Sequence, residues 1–464
     1  MGPPHYEPLR PNDVFFLHAE ALGAHQHVGG LAVLDPSTRP DGPVRLEEIS
    51  ARLVALLDEL PRLRQRLAVP WGGLARPAWV DAADFSMSRH VRSLAVAAPG
   101  DRRELERAVE TVMSRPLDRT RPLWELVLLE GLAGGGQAVL IKLHHAIADA
   151  VGVLVVAERL LDADAGPRPP PAAGPWVPAP APGGLELFGR TLAHQVASPW
   201  RDLFGSTRHA LSDPRHAWRR GERTVAGVWQ LARAGSAPPT PLNQTVGSGR
   251  RIVLTETRRE DLQAAHRADG GTDNDVVLAA VAGALQKWFA GHVDVPPEQL
   301  RTMVPVSIRR GHRTAPGTWT STLDLDLPIG AMAPRERLRA VTAATRRAKR
   351  SDQSIGSQFV MSAVGTWAVP LVHARFARFA YRGKWFNLIV SSVPGPRGAR
   401  YLAGARVVTA YPIIPLAEGV GLTVAAMNWN EHVTFGLTAD VEQIDDLDDI
   451  AASMVAYVDE LANG

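Results

Sequence analysis

The chain has 464 residues, 45% of them hydrophobic and 21% charged, which suits a soluble globular protein long enough for two domains. It contains no cysteine, which excludes disulfides, thiolate metal sites and an acyl-cysteine intermediate. The formal net charge is only +3, from 47 arginines and four lysines against 48 acidic residues, and no charged tail points to nucleic acid as a partner.

The N-terminus, MGPPHYEPLRPNDVFF, lacks a charged segment followed by an apolar one, so no signal peptide is read and the expected location is cytoplasmic. Spaced leucines and valines among charges predict amphipathic helices over 46–69 and 101–114. LWELVLLEGL (123–132) and QAVLIKLHH (137–145) read as strands flanking the turn Gly134-Gly135-Gly136. From Asp149, DAVGVLVVAERLLDAD reads as a helix with an acid where the helix dipole favours one.

Residues 165–184 carry eight prolines and read as an extended linker. Large apolar residues recur at roughly helical spacing over 185–233, with eight arginines and four acids, so this stretch is either a solvated face or a basic helix lying on a lipid surface. TDNDVVLAAVAGALQKWFA (272–290) is a helix with Thr272 or Asp273 as cap, and RTMVPVSIR (301–309) and WFNLIVSSVPG (385–395) are strands. Gln353–Val372 has no formal charge but is diluted by Ser, Gln, Gly and Pro, so it reads as buried or interfacial rather than spanning. The pattern divides into an α/β lobe over 1–164, a proline-rich linker and basic helical segment over 165–240, and a second α/β lobe over 241–464.

His144 and His145 stand at the seam between the second strand and the helix that follows, ahead of Asp149. Vicinal side chains on a strand point to opposite faces, so the two rings cannot easily share a metal ion. On a strand His145 shares a face with Leu143, Ile141 and Val139, and His144 shares the other with Lys142 and Leu140. An imidazole can take a proton from a hydroxyl and return it to a leaving group. No serine-nucleophile elbow, phosphate loop or dinucleotide fingerprint competes with it. A histidine base without a covalent nucleophile implies direct transfer between two bound substrates. The alternative is a pair of hydrogen-bonded core histidines.

HHAIADA (144–150) resembles the HHxxxDG signature of the wax ester synthase/diacylglycerol acyltransferase family and of related CoA-dependent acyltransferases and condensation domains. Further blocks are similar to that family in particular, and in its order: WVDAADFSMSRHVRSL (79–94), RPLDRTRPLWELVLLEGL (115–132), PLNQTVGSGRR (241–251), NDVVLAAVAGAL (274–285), VPVSIR (304–309) and SSVPGPR (391–397).

The resemblance implies two chloramphenicol-acetyltransferase-like lobes with a tunnel between them, acyl-CoA as donor, and diacylglycerol or a long-chain alcohol as acceptor. It implies no metal and no prosthetic group. By the same resemblance His145 is the base and His144 its less critical neighbour. Asp149 matches the aspartate that turns away from substrate and holds an arginine, here Arg309. Asn274 and Asp275 match the family's Asn-Asp pair, whose asparagine is linked to the active site; capping is the competing role for residues of this type at a helix start.

Asn274 and the backbone around 391–395, with Ser392, are candidate oxyanion or substrate contacts. Pro122, Leu123 and Trp124 match a family block and are candidate tunnel residues, although a large aromatic such as Trp124 is more often core. Ala150 replaces the motif's glycine and is a fourth tunnel candidate, and Ser392 stands where the family usually has asparagine.

The expected activity is acyl transfer from acyl-CoA to a diacylglycerol or fatty alcohol. The alternatives are a condensation-type enzyme with a carrier-protein donor, and a non-catalytic lipid-inclusion protein of the same fold. Contact with a membrane or lipid inclusion is expected to be peripheral. A carbonate or high-salt wash of membranes should therefore release most of the protein; retention through both washes would instead indicate a span around Gln353–Val372.

Overall fold

In the computed structural model the described residues are 6–20, 23–70, 73–166, 176–195, 197, 235–267, 269–307, 320–350 and 370–463. The strands in chain order are β1 Glu7–Pro8, β2 His27–Asp35, β3 Gln65–Ala68, β4 Ala78–Asp81, β5 Val91–Ala95, β6 Trp124–Glu130, β7 Gln137–His144 and β8 Arg250–Arg258. They continue as β9 Gln299–Ser307, β10 Thr320–Pro328, β11 Leu388–Val393, β12 Tyr401–Leu402, β13 Ala405–Ile413, β14 Leu422–Trp429 and β15 His432–Asp440. The first four helices are α1 Pro11–Ala19, α2 Leu46–Leu56, α3 Arg102–Met113 and α4 Ala150–Leu160.

Two six-stranded mixed sheets form, ordered β12-β13-β2-β7-β6-β5 and β10-β9-β11-β14-β15-β8, with a small sheet β1-β4-β3 beside the first. The first lobe is not made from the N-terminal half alone. β13 runs antiparallel to β2, pairing Ile413 with Gly29 and Tyr411 with Leu31. A boundary at 241 therefore assigns to the second lobe two strands, β12 and β13, that complete the first. Nothing in their local pattern distinguishes them from the strands that stay.

Most predicted elements form where their patterns lie. Asp101 caps α3 by accepting from Glu104 N, and Thr272 caps the long helix Asp273–His292. The helix expected over 46–69 is shorter. It ends at Leu56, Pro61 opens a 3-10 turn, and 65–68 become β3. Proline at 61 lacks the N–H that a continuing helix needs. Asp273–His292 is buried on nearly every side from Asp275 to Leu285, as expected of a helix that is apolar all round and central to its lobe. In the linker, Trp176 lies under the Arg64 guanidinium at 4.7 Å and Ala179 N donates to Asp81, which ties residues 176–179 to the small sheet. Most of 185–233, and Gln353–Val372 apart from its last residues, lie outside the described residues. Among the described residues no helix is long and apolar enough to cross a membrane.

α3 joins the two lobes by treating the β8 edge as a strand partner would. Edge strands expose unpaired N–H and C=O groups. Arg102, Glu106 and Glu110, one turn apart on α3, meet them: Arg102 donates to Leu254 O (3.1 Å), Leu254 N donates to Glu106 (2.9 Å) and Ile252 N to Glu110 (2.9 Å). Leu105, Val109 and Val112 pack beneath with Leu31, Leu140, Ile252 and Leu254, so one apolar cluster spans both lobes.

Burial pushes the Glu106 carboxyl up to about 7, against the stabilising hydrogen bond from Leu254. The folded protein therefore holds a proton there that the unfolded chain releases above about 4.5. Stability from this group is full below that value and declines as pH rises to about 7. Glu106→Gln keeps an acceptor for Leu254 N and removes the titration. It should match the wild type in denaturant titrations at pH 5 and exceed it by about 1–3 kcal/mol at pH 8.

Candidate active site

β7 is buried at every position, yet its two faces do different work. Lys142, fully buried, donates from Nζ to Val112 O (2.8 Å), Arg115 O (2.5 Å) and Glu125 (3.0 Å). It thereby fastens the end of α3 to the sheet. His144 ends the strand on the same face, 1% exposed. The other face, through Val139 and Ile141, lines an apolar cavity of about 890 Å3 including its open mouth.

That cavity lies between α4 and the two sheets. Its walls include Gly30 of β2, Ala150, Leu154 and Ala157 at the start and along α4, Ile413 of β13, and Val393, Met427 and Trp429 of the second lobe. The strand exchange makes this possible, because β13 carries first-lobe pairing into the interface.

His145 follows the strand and is partly exposed. Its backbone N–H donates to Gln26 O at 2.7 Å. Phe16 of α1 stacks on its ring with centroids 3.7 Å apart and planes inclined by 16°. The ring also bonds its own backbone carbonyl. Only Nδ1 can reach the carbonyl of its own residue, so Nδ1 carries the proton and Nε2 keeps its lone pair. Burial lowers the pKa of His145 below the usual histidine value, partly opposed by the charge of Asp149. The neutral, proton-accepting ring thus persists below the pH at which an ordinary histidine would protonate.

Asp149 is buried and caps α4, accepting from Gly152 N at 2.8 Å. Its charge also acts on His145, a relation that the resemblance did not imply. Arg309, its expected partner, lies outside the described residues.

Asn274 and Ser392, far apart in the chain, meet: Ser392 Oγ donates to Asn274 Oδ1 at 2.8 Å. That bond turns the carboxamide so that its NH2 group remains a donor for something else. Asp275 completes a capping box with Thr272, whose N–H and hydroxyl donate to it at 2.9 and 2.8 Å. The Asn-Asp pair thus divides its labour, with capping assigned to Asp275. The turn after Ser392 borders the cavity through Val393 and Pro396. Gly395 is needed there for close packing, since a Cβ would fall 1.6 Å from Asn428 O.

Pro122, Leu123 and Trp124 are buried in the first lobe. Trp124 Nε1 donates to Leu63 O (2.6 Å) and its ring stacks on His90 at 4.7 Å, while Ala150 borders the cavity. Phe16 and Glu20, both touching the histidine pair, carried no motif signal. Only their i, i+4 spacing could have suggested a shared face, and no helix is read over this stretch from the sequence. Among the described residues no three His, Asp or Glu side chains are arranged to hold a metal ion.

Two lobes, a strand exchange between them and a histidine pair at the end of a strand that walls an interlobe cavity define an acyltransferase of the HHxxxD type. Comparison with known proteins makes this specific. Residues 9–277 match the family model for the wax ester synthase/diacylglycerol acyltransferase catalytic domain, and 317–462 match that for its C-terminal domain. The chain belongs to that family.

A Mycobacterium tuberculosis relative provisionally named a diacylglycerol O-acyltransferase is 34% identical over 93% of this chain and 86% of its own. A second from the same organism, with the same provisional activity, is 29% identical over 98% of each. Two solved structures share the fold. The wax ester synthase/diacylglycerol acyltransferase from Marinobacter aquaeolei VT8 is 24% identical over 98% of each chain, with TM-score 0.66. The first condensation domain of the CDA synthetase is 18% identical over 99% of this chain and 96% of that one, with TM-score 0.62.

The two roles of Asp149 separate by substitution. Asn caps as well as Asp but carries no charge. Asp149→Asn should therefore keep stability within about 1 kcal/mol while lowering activity, whereas Asp149→Ala should also lose about 0.5–2 kcal/mol of capping. A loss of about 3–5 kcal/mol in Asp149→Asn would instead reveal a buried pair with Arg309. Thermal melts alongside turnover distinguish the cases.

Proposed function

We propose that this chain is an acyl-CoA-dependent O-acyltransferase that moves a long-chain acyl group onto diacylglycerol or a fatty alcohol, forming triacylglycerol or wax ester. The observation that carries the reading is His145, neutral and with Nε2 available by tautomer, on an intact family motif just past the end of the strand whose Val139 and Ile141 wall an apolar interlobe cavity. Each methylene buried in such a cavity contributes about 0.8 kcal/mol, which favours long acyl chains.

In the proposed step the acceptor hydroxyl donates to His145 Nε2. As its oxygen bonds to the thioester carbonyl carbon, its proton passes to the ring. The oxyanion forms near Asn274, whose carboxamide Ser392 orients, and a preorganised donor of this kind strengthens as charge develops. Collapse of the tetrahedral species breaks the C–S bond, and the imidazolium returns its proton to the departing CoA thiolate. No acyl-enzyme, metal or prosthetic group takes part. Peripheral contact with a membrane or lipid inclusion belongs to the same proposal.

Purified protein with palmitoyl-CoA, offered hexadecanol and a diacylglycerol in parallel, tests the reading. An acyl-carrier donor in a third arm tests the condensation-type alternative, and absence of turnover in every arm would leave the lipid-inclusion role. His145→Ala should lose about 10²–10⁴-fold in turnover while still binding acyl-CoA, and His144→Ala should lose less. The acid limb of kcat/KM should fall below about pH 6, since burial depresses the base. A His145→Ala variant with near-normal turnover would end the reading.

A further inference from the structure

The turn that carries His145 is held by the N-terminal helix. α1 ends at Ala19, and Glu20 caps it with its N–H donating to Phe16 O at 3.2 Å. Phe16 and Glu20 are one helical turn apart and leave α1 on the same side. Phe16 stacks on His145. Glu20 Oε2 lies 3.3 Å from His144 Nε2. One helix therefore grips both histidines, the first by a ring face and the second by a carboxylate.

The hydrogen bonds around His144 define its tautomer. Ala146 N donates to His144 Nδ1 at 3.0 Å, so Nδ1 is the bare nitrogen. Burial lowers the pKa of His144, and a neutral ring with bare Nδ1 must carry its proton on Nε2, facing Glu20. Burial opposes ionisation of Glu20. Hydrogen bonds from His144 and His25 and the charge of Arg119 outweigh it and hold the carboxyl well below the usual range. Arg119 donates to the same oxygen that meets His144, and His25 Nδ1 lies 3.3 Å from the other. The acceptor for His144 is thus anionic and anchored.

Ala146 belongs to the short turn between β7 and α4, in which Ile147 N also donates to His144 O at 2.8 Å. If His144 adopted the other tautomer, the Ala146 N–H and a ring N–H would face each other across 3.0 Å. The turn would have to open, and His145 would move with it.

We propose that Glu20 is a positioning residue for acyl transfer: by holding His144 in the Nε2–H tautomer it fixes the turn that places His145. This rests on His145 being the base. The side-chain cluster Glu20, His144, Arg119 and His25 acts on the reaction without touching substrate, and its effect falls on kcat rather than on acyl-CoA binding.

Glu20→Ala removes the acceptor. Glu20→Gln retains one, with its oxygen toward His144 and Arg119 and its NH2 toward His25 Nδ1. Expected for Glu20→Ala is a kcat loss of about tenfold or more, as small misplacements of a reacting group produce, with an unchanged KM for palmitoyl-CoA. Glu20→Gln should recover most of that loss. Nitrogen NMR of the histidine rings should show His144 as the Nε2–H tautomer in the wild type and in Glu20→Gln, and a mixture in Glu20→Ala.

Full kcat in a folded Glu20→Ala protein overturns the proposal, as does a Glu20→Gln variant with a large kcat loss, or an Nδ1–H His144 in the wild type. Should Glu20→Ala not fold, the wild-type tautomer and the kcat of Glu20→Gln decide. His145→Ala is measured alongside. If it is inactive while both Glu20 variants are fully active, only the positioning role fails; if it is active, the base assignment itself fails.

Discussion

Vicinal side chains at the end of a β-strand cannot share one environment, and the organisation of this site follows from that constraint. β7 sends Lys142 and His144 to one side, where both are buried among hydrogen-bond partners. It sends Val139 and Ile141 to the other, where they wall the cavity. His145 stands at the point of exit, partly exposed and stacked on Phe16. A single histidine could not be both a buried structural anchor and a partly exposed ring. Two in sequence can, because His144 ends the strand in the buried interior while His145 lies in the turn that follows.

The cavity depends on a second constraint, that the lobes stay in register. β13 supplies it by leaving the second half of the chain to pair with β2, and α3 supplies it by satisfying the β8 edge with side chains. These contacts bring Val393, Met427 and Trp429 opposite Gly30 and Ile141. The wall of the site is therefore shared between residues more than 250 positions apart. Asn274 and Ser392 are a smaller instance of the same geometry, joined by one hydrogen bond within the second lobe.

Much of the local structure was legible. Asp101 and Thr272 cap the helices they precede, and the strand–turn–strand around Gly134 and Gly135 uses positive φ at both glycines. The helix predicted to run to 69 failed at Pro61, where proline chemistry outweighs apolar spacing. Asp149 was legible as a helix-start acid, but its influence on His145 was not, because that depends on how the turn folds back. Trp124 follows its residue type into the core.

The sequence by itself determined the two α/β halves, the family motif and the candidate proton acceptor. Each rests on short-range patterns, in which periodicity, capping and residue chemistry operate within a few positions. Tertiary structure alone decided that β12 and β13 complete the first lobe, that Glu20 and Phe16 meet the two histidines, and that Ser392 orients Asn274. Strand pairing and side-chain convergence join residues whose local patterns hold no record of the partner. The chemistry of each group could be read from the chain, but its neighbours could be read only from the fold.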